Sequence, residues 1–303
     1  MKKIILGWCF LFTIVCYQTY GCDVCGAGLS SNYTGIMPQY RANSLGLRYS
    51  FTETQSKHLP SLFAPSGSST ETFHTVELMG RFYAADNWVF MGMLPMHHFS
   101  KKRSDNSSEL IKGLGDVNIL ANYIAVNSGD SMTKLTRHFL QFGGGVKMPT
   151  GEYQKLSDDG VNPNFQLGTG AFAGIANMMY TVRRKNMGYT FEASYIYHLT
   201  NKNDYQFGQR YTVSNKVFYW KKWRTFSLVP HAALWYDHSA QNREKNREVL
   251  YSGGHLLNLQ PGLDVFFRKF SLSSLVQIPV DQNQSNQYVT INNKYFIALN
   301  YNF

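Results

Sequence analysis

The chain has 303 residues, with 29 Lys and Arg against 19 Asp and Glu, a formal net charge of +10, and 15% aromatic residues. Charged residues reach 16%, below the roughly 25% of soluble domains, while apolar content is ordinary, which excludes intrinsic disorder. Beyond residue 20 no apolar run approaches the ~20 residues a membrane helix needs, which excludes a helical bundle.

Met1, Lys2 and Lys3 form a basic start, followed by an apolar stretch from Ile4 to Cys16 and a small-residue junction at Gly21. This pattern predicts a secretory signal peptide over 1–21, with the mature chain exported beyond the inner membrane of a bacterium. Thr19 and Tyr20 match a lipoprotein cleavage site poorly. Residues 22–39 read as an irregular periplasmic segment that opens with Cys22 and Cys25 in CxxC spacing. In an oxidising compartment such a pair forms a local disulfide; alternatively, two thiolates hold a soft metal. No second CxxC or HxxxH completes a zinc set, and no cofactor is expected.

From residue 40 onward the period is two. Leu45, Leu47, Tyr49 and Phe51 alternate with Arg48 and Ser50; Val76, Leu78 and Phe82 alternate with Glu77 and Arg81; Tyr189, Phe191 and Tyr195 alternate with Thr190 and Glu192. Alternation at 180° per residue is the mark of a strand with one apolar face. Strands are predicted near 40–53, 73–85, 88–99, 115–127, 136–148, 164–181, 187–199, 206–220, 224–238, 251–267, 270–281 and 291–303. Several match the ~9–11 residues that cross a membrane at a tilt. The connections at 54–72, 100–114, 149–163, 200–205, 239–250 and 282–290 are mostly long and polar, and the intervening ones mostly short. The expected fold is all-β: an antiparallel up-and-down transmembrane β-barrel over 40–303, of about twelve strands within a range of ten to fourteen. Hydrocarbon demands this closure, because every backbone donor and acceptor must pair and a closed sheet has no edges. Residues 164–181 show no clear parity, and Pro95, Pro230, Pro261 and Pro279 fall inside or at the ends of strands, where bulges or shifted boundaries are expected. Trp88, Tyr123, Trp220, Trp223, Tyr236 and Tyr301, near strand ends, are expected as interfacial girdles.

On this parity the lumen receives Arg48, Glu77, Arg81, Asp116, Lys147, Glu192 and Lys294, together with Arg210, Lys216 and Asp264. These charges either tune the selectivity of an open pore or pair with one another to plug a narrow one, Arg81 with Glu77 or Asp116 for instance. Lys101, Lys102 and Arg103, and the run from Arg243 to Arg247, are expected in long loops facing anionic lipopolysaccharide and outer-membrane lipids. The cations are scattered over rims with no nucleic-acid-binding motif, and no motif specifies an oligomeric state. His98 and Ser100 share a parity, but no orienting Asp or Asn follows from the sequence, so no enzyme is expected. Met91, Met93, Met96, His97 and His98 read as packing rather than as a soft-metal surface.

The final stretch, with Tyr295, Ile297, Leu299, Tyr301 and the terminal Phe303 on one parity, resembles the C-terminal assembly signal of bacterial outer-membrane barrels. The resemblance implies insertion by the barrel assembly machinery. Internally, Gly113, Gly115 and Asp116, then Pro149, Thr150 and Gly151, then Gly168, Thr169 and Gly170 resemble the GxGD, PTG and GTG series of the outer-membrane family named for the meta-pathway of phenol degradation. The segment from Cys22 to Gly26 departs from that family and resembles a Bacteroidetes-type variant. Membership would imply passive admission of small hydrophobic or aromatic solutes across the outer membrane. Two alternatives stay open: a closed structural or surface-interaction barrel, and a metal-associated protein acting through Cys22 and Cys25. The glycines, including 143–145, are expected where the wall bends or admits a neighbour.

Overall fold

The computed structural model describes residues 42–58, 67–128, 135–153 and 165–303. The expected signal peptide, the 22–39 segment and both cysteines of the CxxC lie outside the described residues.

The described chain folds as thirteen principal strands: β1 (Ser44–His58), β2 (Gly67–Ala85), β3 (Trp88–Arg103), β4 (Ser108–Leu114), β5 (Val117–Asn127), β6 (Thr136–Met148), β7 (Ala173–Arg184), β8 (Met187–His198), β9 (Arg210–Tyr219), β10 (Phe226–Ser239), β11 (Gly254–Phe267), β12 (Phe270–Gln284) and β13 (Val289–Asn302). Both β4 and β5 pair with β3, at Met96–Lys102 and Trp88–Met93 respectively, so together they form one stave. Each stave pairs antiparallel with the next, and β1 pairs with β13 through Leu47 opposite Leu299 and Tyr49 opposite Ile297. The result is a closed twelve-stave antiparallel barrel. Closure satisfies the ladder on both sides of the staves, as an apolar surrounding requires.

Four prolines fall at or beside some of the interruptions in that ladder, while the shifts at Thr52, Tyr83 and Ile124 involve none. Proline has no N–H to donate, so in a wall without edges it falls beside a gap. Pro95 lies between the stretches of β3 that pair with β5 and with β4, and its carbonyl accepts the Gly115 N–H at 2.9 Å. Pro279 flanks the register shift between Leu257 and Asn258. The β11–β12 ladder passes from Leu259 opposite Ile278 to Gly262 opposite Leu275, skipping Pro261 without a change of register. Pro230 lies just beyond the last rung between β9 and β10, Phe218 opposite His231. The expected bulge thus occurs at Pro279, whereas Pro230 and Pro261 keep register and simply omit rungs.

Alternation sets the two faces. Leu45, Leu47, Leu78, Phe90, Ile119, Phe142, Leu234, Ile297 and Leu299 point outward and are exposed. Moving each such side chain from water into an apolar phase contributes roughly 1.5–3 kcal/mol, so a continuous band of them suits hydrocarbon and not water. Near the short turns Trp88 stacks edge-on against Tyr123, Trp223 lies flat on Phe226, and Phe270 meets Tyr301. Tyr236 also faces outward, beside Tyr211 and His255. Trp220 departs from the expected girdle: it is 7% exposed and packs inward with Phe218 and Val229.

Two other expectations are corrected. The predicted strand over 164–181 begins only at Ala173 and runs to Arg184, while 165–171 is buried, non-strand chain. A Gly-rich stretch with no alternation gives no face to bury against lipid, and here it folds inward. The expected loops at 54–72 and 100–114 are largely strand: β1 and β2 stay paired out to His58 opposite Gly67, and β4 occupies Ser108–Leu114. Polar alternation at the end of a hairpin still forms a ladder once the neighbouring rungs have fixed the register.

Candidate functional site in the barrel lumen

The inward parity gathers charge in opposed pairs. Arg48 meets Glu77, its register partner on β2, and both are almost wholly buried. Lys147 lies 3.5 Å from Asp116, Arg210 2.7 Å from Asp237, Lys216 3.7 Å from Glu192 and His231 3.6 Å from Asp264. Toward the long-loop rim Lys101 sits 3.6 Å from Glu71, whose carboxylate also accepts from Thr54, Ser56 and Ser69. Lys101 is therefore an inward residue of β3 and not part of a loop, and Arg103 pairs with Glu109 at 3.0 Å. Arg81 donates to the Tyr83 hydroxyl and lies 4.8 Å from that ring. Lys294 sits 5.0 Å from the Phe296 ring centroid. In a low-dielectric interior, each charge opposed by a counter-charge avoids the several kcal/mol that an isolated buried ion costs.

Glu71, Asp237 and His231 belong to this set, although sequence parity did not single them out. Asp237 had a usable signal, since it alternates with the outward Leu234 and Tyr236 pattern of its strand; Glu71 fell in an expected loop.

Between the charges the lumen mixes apolar and polar side chains on both sides, with Asn122 and Gln141 buried on β5 and β6. One wall, from β2 to β7, presents Met79, Val89, Met91, Met93, Leu120, Ile124, Phe139, Ile175 and Met179 as one packed apolar cluster. Met79 and Met93 are register partners. The opposite wall, from β8 to β13, presents Thr190, Ser194, Thr212, Ser214, Asn258, Ser271, Ser273 and Asn300 beside the apolar Ile196, Trp235, Leu256, Leu275 and Phe296. Asn258 and Ser273 are 1% and 0% exposed, and their polar atoms have no hydrogen-bond partner among the described residues. Such groups call for water or a polar solute in the lumen. Phe99, Phe139, Leu120 and Met179 point inward and are essentially inaccessible, so the passage is narrow and side-chain-filled. A second inward cluster at the long-loop end joins Phe73, Phe99, Phe165, Leu167, Trp235, Leu256, Val289 and Ile291.

The three glycine-rich motifs meet at one carboxylate. Asp116 accepts the Gly151 N–H at 3.1 Å, the Thr169 N–H at 2.9 Å and the Thr169 hydroxyl at 2.7 Å. Beside it the Thr150 hydroxyl donates to the Gly115 carbonyl at 2.7 Å and accepts the Val117 N–H at 3.0 Å. These bonds clamp 165–171 against the break between β4 and β5. Glycine is required at 168, where a Cβ would stand 2.4 Å from Asp116 Oδ1 and 2.6 Å from the Gly151 carbonyl, and Gly170 adopts φ +66.

The clamp continues into a roof over the long-loop rim. Asn201 donates to the Thr169 carbonyl at 3.2 Å and accepts the Tyr205 N–H at 3.1 Å. Asn242 donates to the Tyr205 hydroxyl and accepts the Gly208 N–H, both at 2.8 Å. A small ladder links Tyr205–Gln206 to Arg243–Glu244, and that to Arg247–Glu248. Tyr153 packs against Tyr205 and Phe207, and burial raises its hydroxyl above the usual tyrosine range.

The remaining sequence candidates separate. His98 points outward beside His74, and Met96 is 57% exposed on the same side, while His97 turns inward against Thr75. Met91 and Met93 therefore share the lumen, and Met96 and His98 do not. Among the described residues no group of three or more His, Cys, Asp or Glu could hold a metal ion. Tyr295, Ile297, Leu299, Tyr301 and Phe303 all lie exposed on the outward face of or just beyond β13, the stave that closes against β1.

The chain is similar in structure to the COG4313 outer membrane channel from Pseudomonas putida F1, with a TM-score of 0.63 and 13% identity over 86% of this chain and 96% of that one. The fold is that of an outer-membrane β-barrel. The β domain of the Bordetella autotransporter Brka is also similar, with a TM-score of 0.50 and 14% identity over 86% of this chain and all of that one (100%). No protein-family model and no curated protein matches the chain. At these identities the likeness establishes the barrel's fold and leaves the expected meta-pathway family unshown.

Proposed function

We propose that the chain is a non-enzymatic outer-membrane channel that passively admits small hydrophobic or aromatic solutes. The observation that carries this reading is the apolar, thioether-rich lumen wall of Met79, Met91, Met93 and Met179 inside a barrel whose outer face is itself apolar. A wide polar porin would leave its inward side chains accessible to water; here the inward Phe139 and Leu120 are packed. Thioethers are flexible and polarizable, so such a wall can part for a small apolar guest at modest cost. The sequence resemblance to a family of hydrophobic-solute transporters and the channel named among the similar structures support the same reading.

Flux through liposomes containing the refolded protein, with a sized sugar series beside small aromatic solutes, tests it. Passage of aromatics with exclusion of sugars beyond the smallest is the expected result. General swelling with sugars would mean a weakly selective pore. No flux above empty liposomes would favour the second reading, a closed barrel whose loops do the binding, to which the opposed lumen charges and the hydrogen-bonded roof over residues 201–208 and 242–252 lend weight.

A further inference from the structure

At the short-turn rim, one rung crosses four neighbouring staves with an aromatic residue on each. Phe226 on β10 faces Phe267 on β11, Phe267 faces Phe270 on β12, and Phe270 faces Tyr301 on β13. All four are exposed on the outward side, and Trp223, in the turn before β10, lies flat on Phe226 at 4.7 Å. Exposed cations stand in the two turns that cap this row: Lys221 and Arg224 beside Trp223, and Arg268 and Lys269 between Phe267 and Phe270. We propose that this part of the rim binds the headgroup of an anionic phospholipid in the periplasmic leaflet.

The cations are held against the rings. Lys221 Nζ is 5.8 Å from the Trp223 ring centroid, Arg268 Cζ 5.4 Å from that of Phe267, and Lys269 Nζ 5.8 Å from that of Tyr301. Charge and ring are thus presented together, at the height where aromatic side chains meet headgroups. Among the described residues no carboxylate lies within ion-pair distance of Lys221, Arg224, Arg268 or Lys269, whereas Lys147, Arg210 and Lys216 in the lumen each have one. Neither 219–226 nor 267–270 contains an Asp or Glu. Arg268 also takes a φ of 52 in a two-residue hairpin loop, a place that favours Gly, Asn or Asp, and a cation stands there instead. Both turns are fixed. Asn302 donates its backbone N–H at 2.7 Å and its side-chain amide at 3.2 Å to the Lys269 carbonyl, and the Trp223 N–H donates to the Phe226 carbonyl at 2.8 Å.

A phosphodiester carrying acyl chains suits this surface. Short turns of such barrels face the periplasm. A guanidinium offers a planar fork of donors to two phosphate oxygens, and an ammonium adds a compact charge. Deeper in the membrane the register partners Leu272 and Leu299 continue the outward face and receive the acyl chains. Cations beside a bilayer add their attraction for anionic lipid charge by charge. A second copy docked through the same face would set like charges against each other, so a lipid is the better-matched occupant. The inference does not depend on the channel reading, and absence of solute flux would leave it standing.

Native mass spectrometry of the refolded full chain in detergent tests it, with phosphatidylglycerol and phosphatidylcholine of matched acyl chains titrated separately. Phosphatidylglycerol is expected to be retained at concentrations at least about tenfold lower than phosphatidylcholine. That preference is expected to fall below about twofold when Lys221→Gln, Arg224→Gln, Arg268→Gln and Lys269→Gln are combined. Lys57→Gln with Lys102→Gln and Lys112→Gln, all exposed toward the opposite rim, is expected to keep it. If the fourfold variant does not fold, Lys221→Gln with Arg224→Gln, both in one turn, is expected to weaken the preference at least about threefold. Equal retention of the two lipids, or an unchanged preference in a folded variant lacking the four cations, overturns the proposal. So does a dimer that the unaltered chain forms and the fourfold variant does not, which would assign the face to a second copy.

Discussion

Asp116 and Thr169 are 53 residues apart, yet the Asp116 carboxylate accepts both the hydroxyl of Thr169 at 2.7 Å and its backbone N–H at 2.9 Å. That contact fastens an inward-folded segment to the one break in the barrel's staves among the described residues, and Lys147 stands 3.5 Å behind it. Removing the carboxylate leaves three buried donors, the Gly151 and Thr169 N–H groups and the Thr169 hydroxyl, and a lysine without their acceptor. Asp116→Ala is expected to lower stability by roughly 3–5 kcal/mol and to raise single-channel conductance by releasing residues 165–171. Urea unfolding and planar-bilayer recordings check this; an unchanged midpoint and conductance would show that the segment is held by something else.

Gly168→Ala isolates the steric part of the same clamp. The new Cβ would stand 2.4 Å from Asp116 Oδ1 and 2.6 Å from the Gly151 carbonyl, so a cost of about 1–3 kcal/mol is expected. Gly174→Ala, where a Cβ meets nothing within 4 Å, serves as the control and is expected to shift stability by less than about 0.5 kcal/mol.

Arg210 and Asp237 test whether the lumen charges are held for stability. Both are 3–4% exposed, and Thr212 also donates to Asp237 at 3.2 Å. Asp237→Ala is expected to destabilise by about 3–5 kcal/mol, because a buried guanidinium loses its counter-charge. The pair Arg210→Met with Asp237→Leu is expected to recover most of that loss. A double variant as unstable as the single one would mean that the polar pair shapes the lumen in a way apolar packing does not replace.

The outward face gives a fourth outcome. Leu47 is 55% exposed on β1, and Leu47→Arg is expected to cost about 2–4 kcal/mol in a bilayer if the residue sits near its midplane. The inward Met91→Asp is expected instead to cut aromatic flux, since it puts a charge into the thioether wall. The fraction of heat-modifiable folded protein in vesicles and the liposome flux separate the two effects. Loss of flux in Leu47→Arg with full folding would contradict the assignment of faces.

Period-two alternation is written residue by residue, so strand type, the twelve-stave count and the inward parity of Arg48, Glu77 and Asp116 were legible without a fold. Those features need only a residue and its near neighbours. What tertiary structure decided is which inward residues meet. Arg48 and Glu77 are direct rungs, but Arg210 reaches Asp237 and Lys216 reaches Glu192 on the diagonal, two residues off their rungs at Ser239 and Thr190. Such offsets depend on the stagger between staves, which closure of the whole barrel fixes. Trp220 looked like a girdle residue because its sequence position is a strand end, but it turns inward, under the Arg183 guanidinium and against Phe218 and Val229, contacts that exist only in the assembled barrel. Residues 165–171 carry no alternation to read. Their place against Asp116 arises from hydrogen bonds that exist only after the staves on either side have assembled.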